Sequence, residues 1–184
     1  MPEAYPTPAA GQRLTASLLR SMQTQTLRKS ADTGRSATTT PAADPHLQLD
    51  VAASAVYRFH GWLSYDGLAA ADIIVGFSVP TGALGTWGGH GGGITVTSAT
   101  GGGGTQQDVV STWGYNIRLE TTAIGATRTY GCLGVGTPLG VFLYGTLRTA
   151  ASAGTFALTW AQNASSATAT TVYTDSYLDV LRVA

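Results

Sequence analysis

Charge is scarce in this chain. Only 11% of its 184 residues are charged, about half the roughly 25% usual in a soluble globular domain. Ten basic residues cancel ten acidic ones, and lysine occurs once, as Lys29. A neutral chain without a basic cluster offers no electrostatic footprint for nucleic acid, so no nucleic-acid partner is expected. A surface this poor in charge is expected to be covered in an assembly or carried on a large particle. Cysteine also occurs once, as Cys132. That excludes an intrachain disulfide framework and a cysteine-based zinc site. Within "YGCLGVG" the thiol reads as a small buried hydrophobe. No apolar run is long enough to span a bilayer, so no membrane partner is expected. The opening "MPEAYPTPAAGQR" lacks a basic segment followed by an apolar one, so no standard signal peptide is expected.

What is abundant is glycine, at 24 residues, together with Ala, Ser and Thr. Two regions differ in composition. Residues 1–46 hold Arg13, Arg20, Arg28, Lys29 and Arg35, half of all the basic residues. Inside this arm "LTASLLRSM" sets Leu14, Leu18 and Met22 at helical spacing, with Leu19 beside them. So short a helix is marginal in water unless it buries its apolar side on a partner. "KSADTGRSATTTPAADP" follows as an extended connector, with Pro41 and Pro45 disfavouring helix before them.

From Leu47 the period changes to two. "AVYRFHGWLSYDG" places Val56, Arg58, His60 and Trp62 on one face and Tyr57, Phe59 and Leu63 on the other. "ADIIVGFSVP", "YNIRLETTAI", "LGVFLYGTLRTA", "GTFALTWAQ" and "SYLDVLRVA" add further β-like runs, with Phe156, Leu158 and Trp160 aligned, and "GALGTW" and "GITVTSAT" are shorter ones. Eight or more strands divided by Gly-rich turns, with no helical period, predict an all-β antiparallel sandwich over residues 47–184.

Catalytic signals are weak. "GTWGGHGGGITVTSATGGGGT" lacks the Gly-Lys-Ser/Thr ending of a phosphate loop and reads as a long turn. His46, His60 and His90 share no metal-ligand spacing. Acids such as Asp66, Asp72 and Glu120 can be paired on paper, but no pattern selects a pair for glycoside hydrolysis. No Gly-x-Ser-x-Gly elbow supports a triad. No catalytic residue, metal or cofactor is assigned. Exposed Trp62, Trp87 and Trp113 could stack on sugar rings, and Trp87 and Trp113, with His90, are the candidate glycan contacts near the glycine-rich loop.

The stretch "RKSADTGRS…ADPHL" leading to "Y…GWLSYDG…ADI…F…P", with the ending "LTWAQNASSATATTVYTDSYLDVLRV", resembles a family of virion proteins of actinobacterial, especially streptomycete, phages and prophages. The ending is also similar to trimeric jelly rolls of the complement-C1q and tumour-necrosis-factor type. The resemblance covers most of the chain, with 83–108 as its variable part. It implies a non-enzymatic structural protein at the virion surface, assembled in the bacterial host cytoplasm. The role would be capsid decoration, head fibre or tail component. It further implies a jelly-roll homotrimer over 47–184, anchored to a phage capsid or tail protein by the arm 1–46. Attachment then falls to Leu14, Leu18, Leu19, Met22, Arg20 and Arg28. The uncharged run after Trp160 suggests a trimer interface at Trp160, Ala164, Thr168 and Thr170. The competing expectation is a fibre-tip module that binds a host glycan or receptor.

Overall fold

The computed structural model describes residues 6, 9–92 and 121–184. After a short helix, α1 (Ala16–Ser21), the chain is built of strands. These are β1 (Gln25–Arg28), β2 (Thr33–Arg35), β3 (Ala42–Val51), β4 (Val56–Gly67), β5 (Ile73–Ser78), β6 (Leu84–His90), β7 (Thr121–Ala123), β8 (Arg128–Tyr130), β9 (Gly134–Arg148), β10 (Gly154–Gln162), β11 (Thr170–Val172) and β12 (Tyr177–Arg182). They form two antiparallel sheets. The larger runs β1-β12-β4-β9-β6-β7, with β11 paired to β4 and β2 to β11. The smaller runs β3-β10-β5-β8.

The inner faces follow from alternation. In β4, Tyr57, Phe59, Leu63 and Tyr65 are buried, whereas Arg58, His60 and Trp62 are exposed. In β10, Phe156, Leu158 and Trp160 point inward. Four aromatic rings join the sheets: Phe77 lies 4.8 Å from Phe59, 5.1 Å from Phe156 and 5.2 Å from Trp87 between centroids. Offset and edge-on contacts of this kind add to the burial of the rings themselves. Cys132 is buried, as expected; burial and the nearby Asp72 and Asp66 charges push its thiol up to about 12.

The boundary at 46/47 is corrected. It falls inside β3, and the segment before it is not a free connector. β1 pairs with β12, setting Gln25 opposite Val180 and Arg28 opposite Tyr177. β2 pairs with β11, setting Arg35 opposite Thr170. Residues 25–46 are therefore part of the sandwich. Backbone pairing to strands already in place explains why so short a pair of strands is stable without apolar alternation of its own. The glycine-rich stretch is corrected in part: Gly85–His90 belongs to β6, a strand paired along β9 as the short run "GALGTW" suggested, and is not a turn. Residues 93–105 of that stretch lie outside the described residues.

One polar cluster seals the side where the two sheets meet. Lys29, immediately after β1, is fully buried and pairs with Asp44 at 2.8 Å, itself fully buried. The ammonium also donates to Thr33 Oγ1 at 2.6 Å, and Trp160 Nε1 donates to Asp44 Oδ2 at 3.1 Å. Asp44 can turn inward because the register against β10 slips there. Gln48 faces Ala157, but Ala43 already faces Thr159. The bulge also accommodates Pro45, which has no N–H to give to a ladder. Burial works to raise the Asp44 carboxyl, but hydrogen bonds from Lys29, His46 and Trp160 outweigh it and hold it below the ordinary carboxylate value. Arg35 stacks over the Trp160 ring at 4.1 Å and donates to the carbonyls of Ala42, Ala43 and Trp160.

Candidate interaction surfaces

The large sheet shows an outer face whose rows can be read from its register. One row runs Tyr177 (β12), Trp62 (β4), Phe142 (β9) and His90 (β6). The next runs Asp179, His60, Tyr144 and Gly88, and the third Leu181, Arg58, Thr146 and Thr86. Trp62 is 42% exposed and Phe142 37%. A Cβ at Gly140 would overlap the Trp62 indole. The ring thus lies down over Gly140, a position only glycine leaves open, and presents its face outward.

Polar side chains thread these rows. His60 Nε2 stands 3.3 Å from Asp179 Oδ2, and Thr26 of β1 donates to the other oxygen of Asp179. His90 Nε2 and the Tyr144 hydroxyl are 3.2 Å apart. The central two rows thus carry one formal carboxylate, and it is already partnered. Among the described residues, exposed large apolar side chains also occur at Leu84 at the start of β6, at Leu14, Leu19 and Met22 on and beside α1, and at one end of the sandwich, with Leu68 and Leu133 in loops and Val135 at the start of β9.

The residues expected to meet a trimer partner separate into two kinds. Trp160 and Thr170 are fully buried, so neither can touch a second copy. Trp160 packs in the core because it shares the inward parity of Phe156 and Leu158. Thr170 is covered beneath Gly67, where an added Cβ would meet its hydroxyl at 2.7 Å. Ala164 and Thr168 are exposed, but in a loop between β10 and β11. That loop is tied down by Asn163 and Ala164 N–H donating to the Ala71 carbonyl, and by the Gln162 amide donating to the Thr168 carbonyl at 2.7 Å.

Of the glycan candidates, Trp87 is 1% exposed, and its Nε1 donates to the Ala126 carbonyl at 3.0 Å. It is a core residue and is withdrawn from the site. His90 stays exposed, at the end of β6. Trp113 lies outside the described residues. Trp62, named among the indoles that could stack on sugar but not placed with His90 beside the glycine-rich loop, is exposed, as its position on the face opposite Tyr57 and Phe59 implied.

Among the proposed attachment residues, Leu14, Leu19 and Met22 are exposed and Leu18 is half-buried. Thr15 caps α1 by accepting from the Leu18 N–H. Arg20 is exposed, and Arg28 pairs with Asp175 at the surface. Among the described residues no three His, Cys, Asp or Glu side chains are grouped to hold a metal, and no helix is long and apolar enough to cross a membrane.

These features define an all-β antiparallel sandwich with an aromatic outer face on its larger sheet. Comparison with protein-family models, with curated proteins and with solved structures finds no match.

Proposed function

We propose that the protein is a non-enzymatic structural component of a phage virion, a homotrimeric jelly roll held on the capsid or tail through its N-terminal helix. Strand order carries this reading. The larger sheet contains β1-β12-β4-β9 and the smaller is β3-β10-β5-β8. First and last strands are neighbours, β3, β4, β5 and β6 alternate between the sheets, and β8, β9, β10 and β11 do so again. This connectivity supports the jelly-roll reading and is compatible with the C1q-like resemblance of the chain's ending. The low charge of the whole chain supports life within an assembly, where each charge is repeated by symmetry.

Attachment rests on α1. It has six residues and exposes Leu19, with Leu14 and Met22 exposed beside it, so it has apolar surface to bury elsewhere. Each leucine contributes roughly 1.5–3 kcal/mol when fully covered. Three arms on one trimer convert modest affinity into avid attachment. The test is binding of purified Leu18→Asp/Leu19→Asp protein to particles stripped of this component, with circular dichroism as the folding control. Loss of binding by a folded double variant is the expected result. Wild-type occupancy would remove the helix from attachment.

A second reading, a glycan-binding fibre tip, draws support from the outward-facing indole of Trp62, in the same row as His90. Saturable binding on a glycan array, lost in Trp62→Ala, would favour it.

A further inference from the structure

We infer that the outer face of the larger sheet, centred on Trp62 and Phe142, is where a second copy of this chain docks. The inference rests on the homotrimer reading above and names the surface that serves it.

The two sheets differ in what they show to solvent. Among the described residues, the large exposed hydrophobics lie on the outer face of the larger sheet, on loops or at α1, and none lies on the smaller sheet. The outer side of the smaller sheet carries Gln48, Asp50, Thr155, Thr159 and Ser78, with the buried Ala157 and Ala161 and the half-buried Ile74 as apolar side chains among them. The larger sheet instead aligns Tyr177, Trp62 and Phe142 side by side across three strands, with Leu84 63% exposed at the far end of β6. Aromatic residues with few charges at the centre and polar residues around them are the composition of an interface core and rim.

Charge fits a copy of the same chain. Around a symmetry axis a bare carboxylate at the centre would face its own images. Asp179 is instead held by His60 and Thr26, and the cations Arg58 and Arg148 sit in the rows beyond. Nothing in the two central rows would need a partner of opposite sign.

Area fits as well. Six strands lie side by side in the larger sheet. At about 4.8 Å per strand and about 20 Å of length, their flat footprint is on the order of 500 Å². Side-chain relief raises the accessible area above that, towards the roughly 800 Å² per partner of a stable interface.

The experiment uses the full chain and measures mass by light scattering over a dilution series, with circular dichroism as the folding control. Wild type should be trimeric. Trp62→Glu should raise the dissociation midpoint by about a hundredfold or more, since it places an unpaired charge in each contact. Gly140→Ala, which adds no charge but forces the indole to lift, should weaken assembly in the same direction. Ser78→Glu, on the outer side of the smaller sheet, should leave it unchanged. A wild-type trimer that survives both Trp62→Glu and Gly140→Ala refutes the docking face and leaves the trimer reading standing. A monomeric wild type refutes both. If that monomer shifts its tryptophan emission on adding a neutral polysaccharide, and Trp62→Phe abolishes the shift, the face belongs to a sugar.

Discussion

Replacing Lys29 by methionine removes a charge from a fully enclosed polar cluster while keeping most of the side chain's length. The Lys29 and Asp44 side chains are both fully shielded from solvent. The Asp44 carboxylate would keep its bonds from Trp160 Nε1 and the His46 N–H but lose its counter-ion. Stranding one member of a buried pair costs about 3–5 kcal/mol. The two remaining donors place the expected value at the lower end, about 3 kcal/mol. With a urea slope of about 2 kcal/mol per M, the midpoint should fall by roughly 1.5 M. Asp44→Leu should cost at least as much, because it abandons the ammonium and leaves the Trp160 indole N–H without its acceptor. The double variant Lys29→Met/Asp44→Leu should recover much of the loss, since two apolar side chains need no compensation. The assay is equilibrium unfolding in urea followed by tryptophan emission, completed as a double-mutant cycle. If Lys29→Met loses less than about 1 kcal/mol, the pair is hydrated like a surface ion pair, and the account of the cluster is wrong.

Other expectations follow from the same geometry. A chain starting at Leu47 loses β1, β2, the first half of β3 and every member of the cluster but Trp160, and should fail to give a cooperative thermal transition; a chain starting at Gln23 should keep one. Ala164→Arg and Thr168→Glu, both in the exposed β10–β11 loop, should change stability by no more than about 0.5 kcal/mol, and a larger loss would mean that the loop is covered. The depressed Asp44 carboxyl contributes stability that is fully present above its unfolded value, 3.8, and is lost as pH falls through the lower folded one. In a pH series of urea unfolding, Asp44→Asn should therefore flatten the part of the acid limb below about pH 4. An acid limb identical to wild type would show that Asp44 is not held down.

The long strands were legible because their large apolar side chains recur at every second position. The inward sets Tyr57-Phe59-Leu63, Phe156-Leu158-Trp160 and Leu178-Val180 are buried as the pattern requires, although in β10 the small Ala157 and Ala161 of the opposite face are buried as well. The same parity argues against Trp160 as an interface residue, and the pattern was outweighed by the small uncharged run that follows it. β1 and β2 were not legible. They hold four and three residues, with Leu27 the only large apolar side chain. Their stability comes from backbone pairing and from Lys29 and Arg35, which have no period. A faint signal existed: a chain with a single lysine has little reason to spend it on solubility. The row joining Tyr177, Trp62, Phe142 and His90 was beyond sequence reasoning, because it depends on the register of four strands. Alternation shows that Trp62 points outward, but not what stands beside it.

The seating of β1 also sets how the molecule answers to force. β1 lies antiparallel to β12, and α1 precedes it by only three residues. A pull on the helix along the strand axis loads the β1–β12 hydrogen bonds together, in shear, instead of opening them one after another. Immediately behind them sits Lys29, whose carbonyl accepts from the Asp175 N–H and whose ammonium is gripped inside the sandwich. The strand cannot slide without dragging that charge through the apolar interior. Tension entering at the N-terminus is thus spread across the sheet and stopped at a buried ion. Resistance to it is governed by the rate of forced opening and not by equilibrium stability. Lys29→Met should accordingly shorten the lifetime of the tethered molecule under load by more than its effect on the urea midpoint suggests.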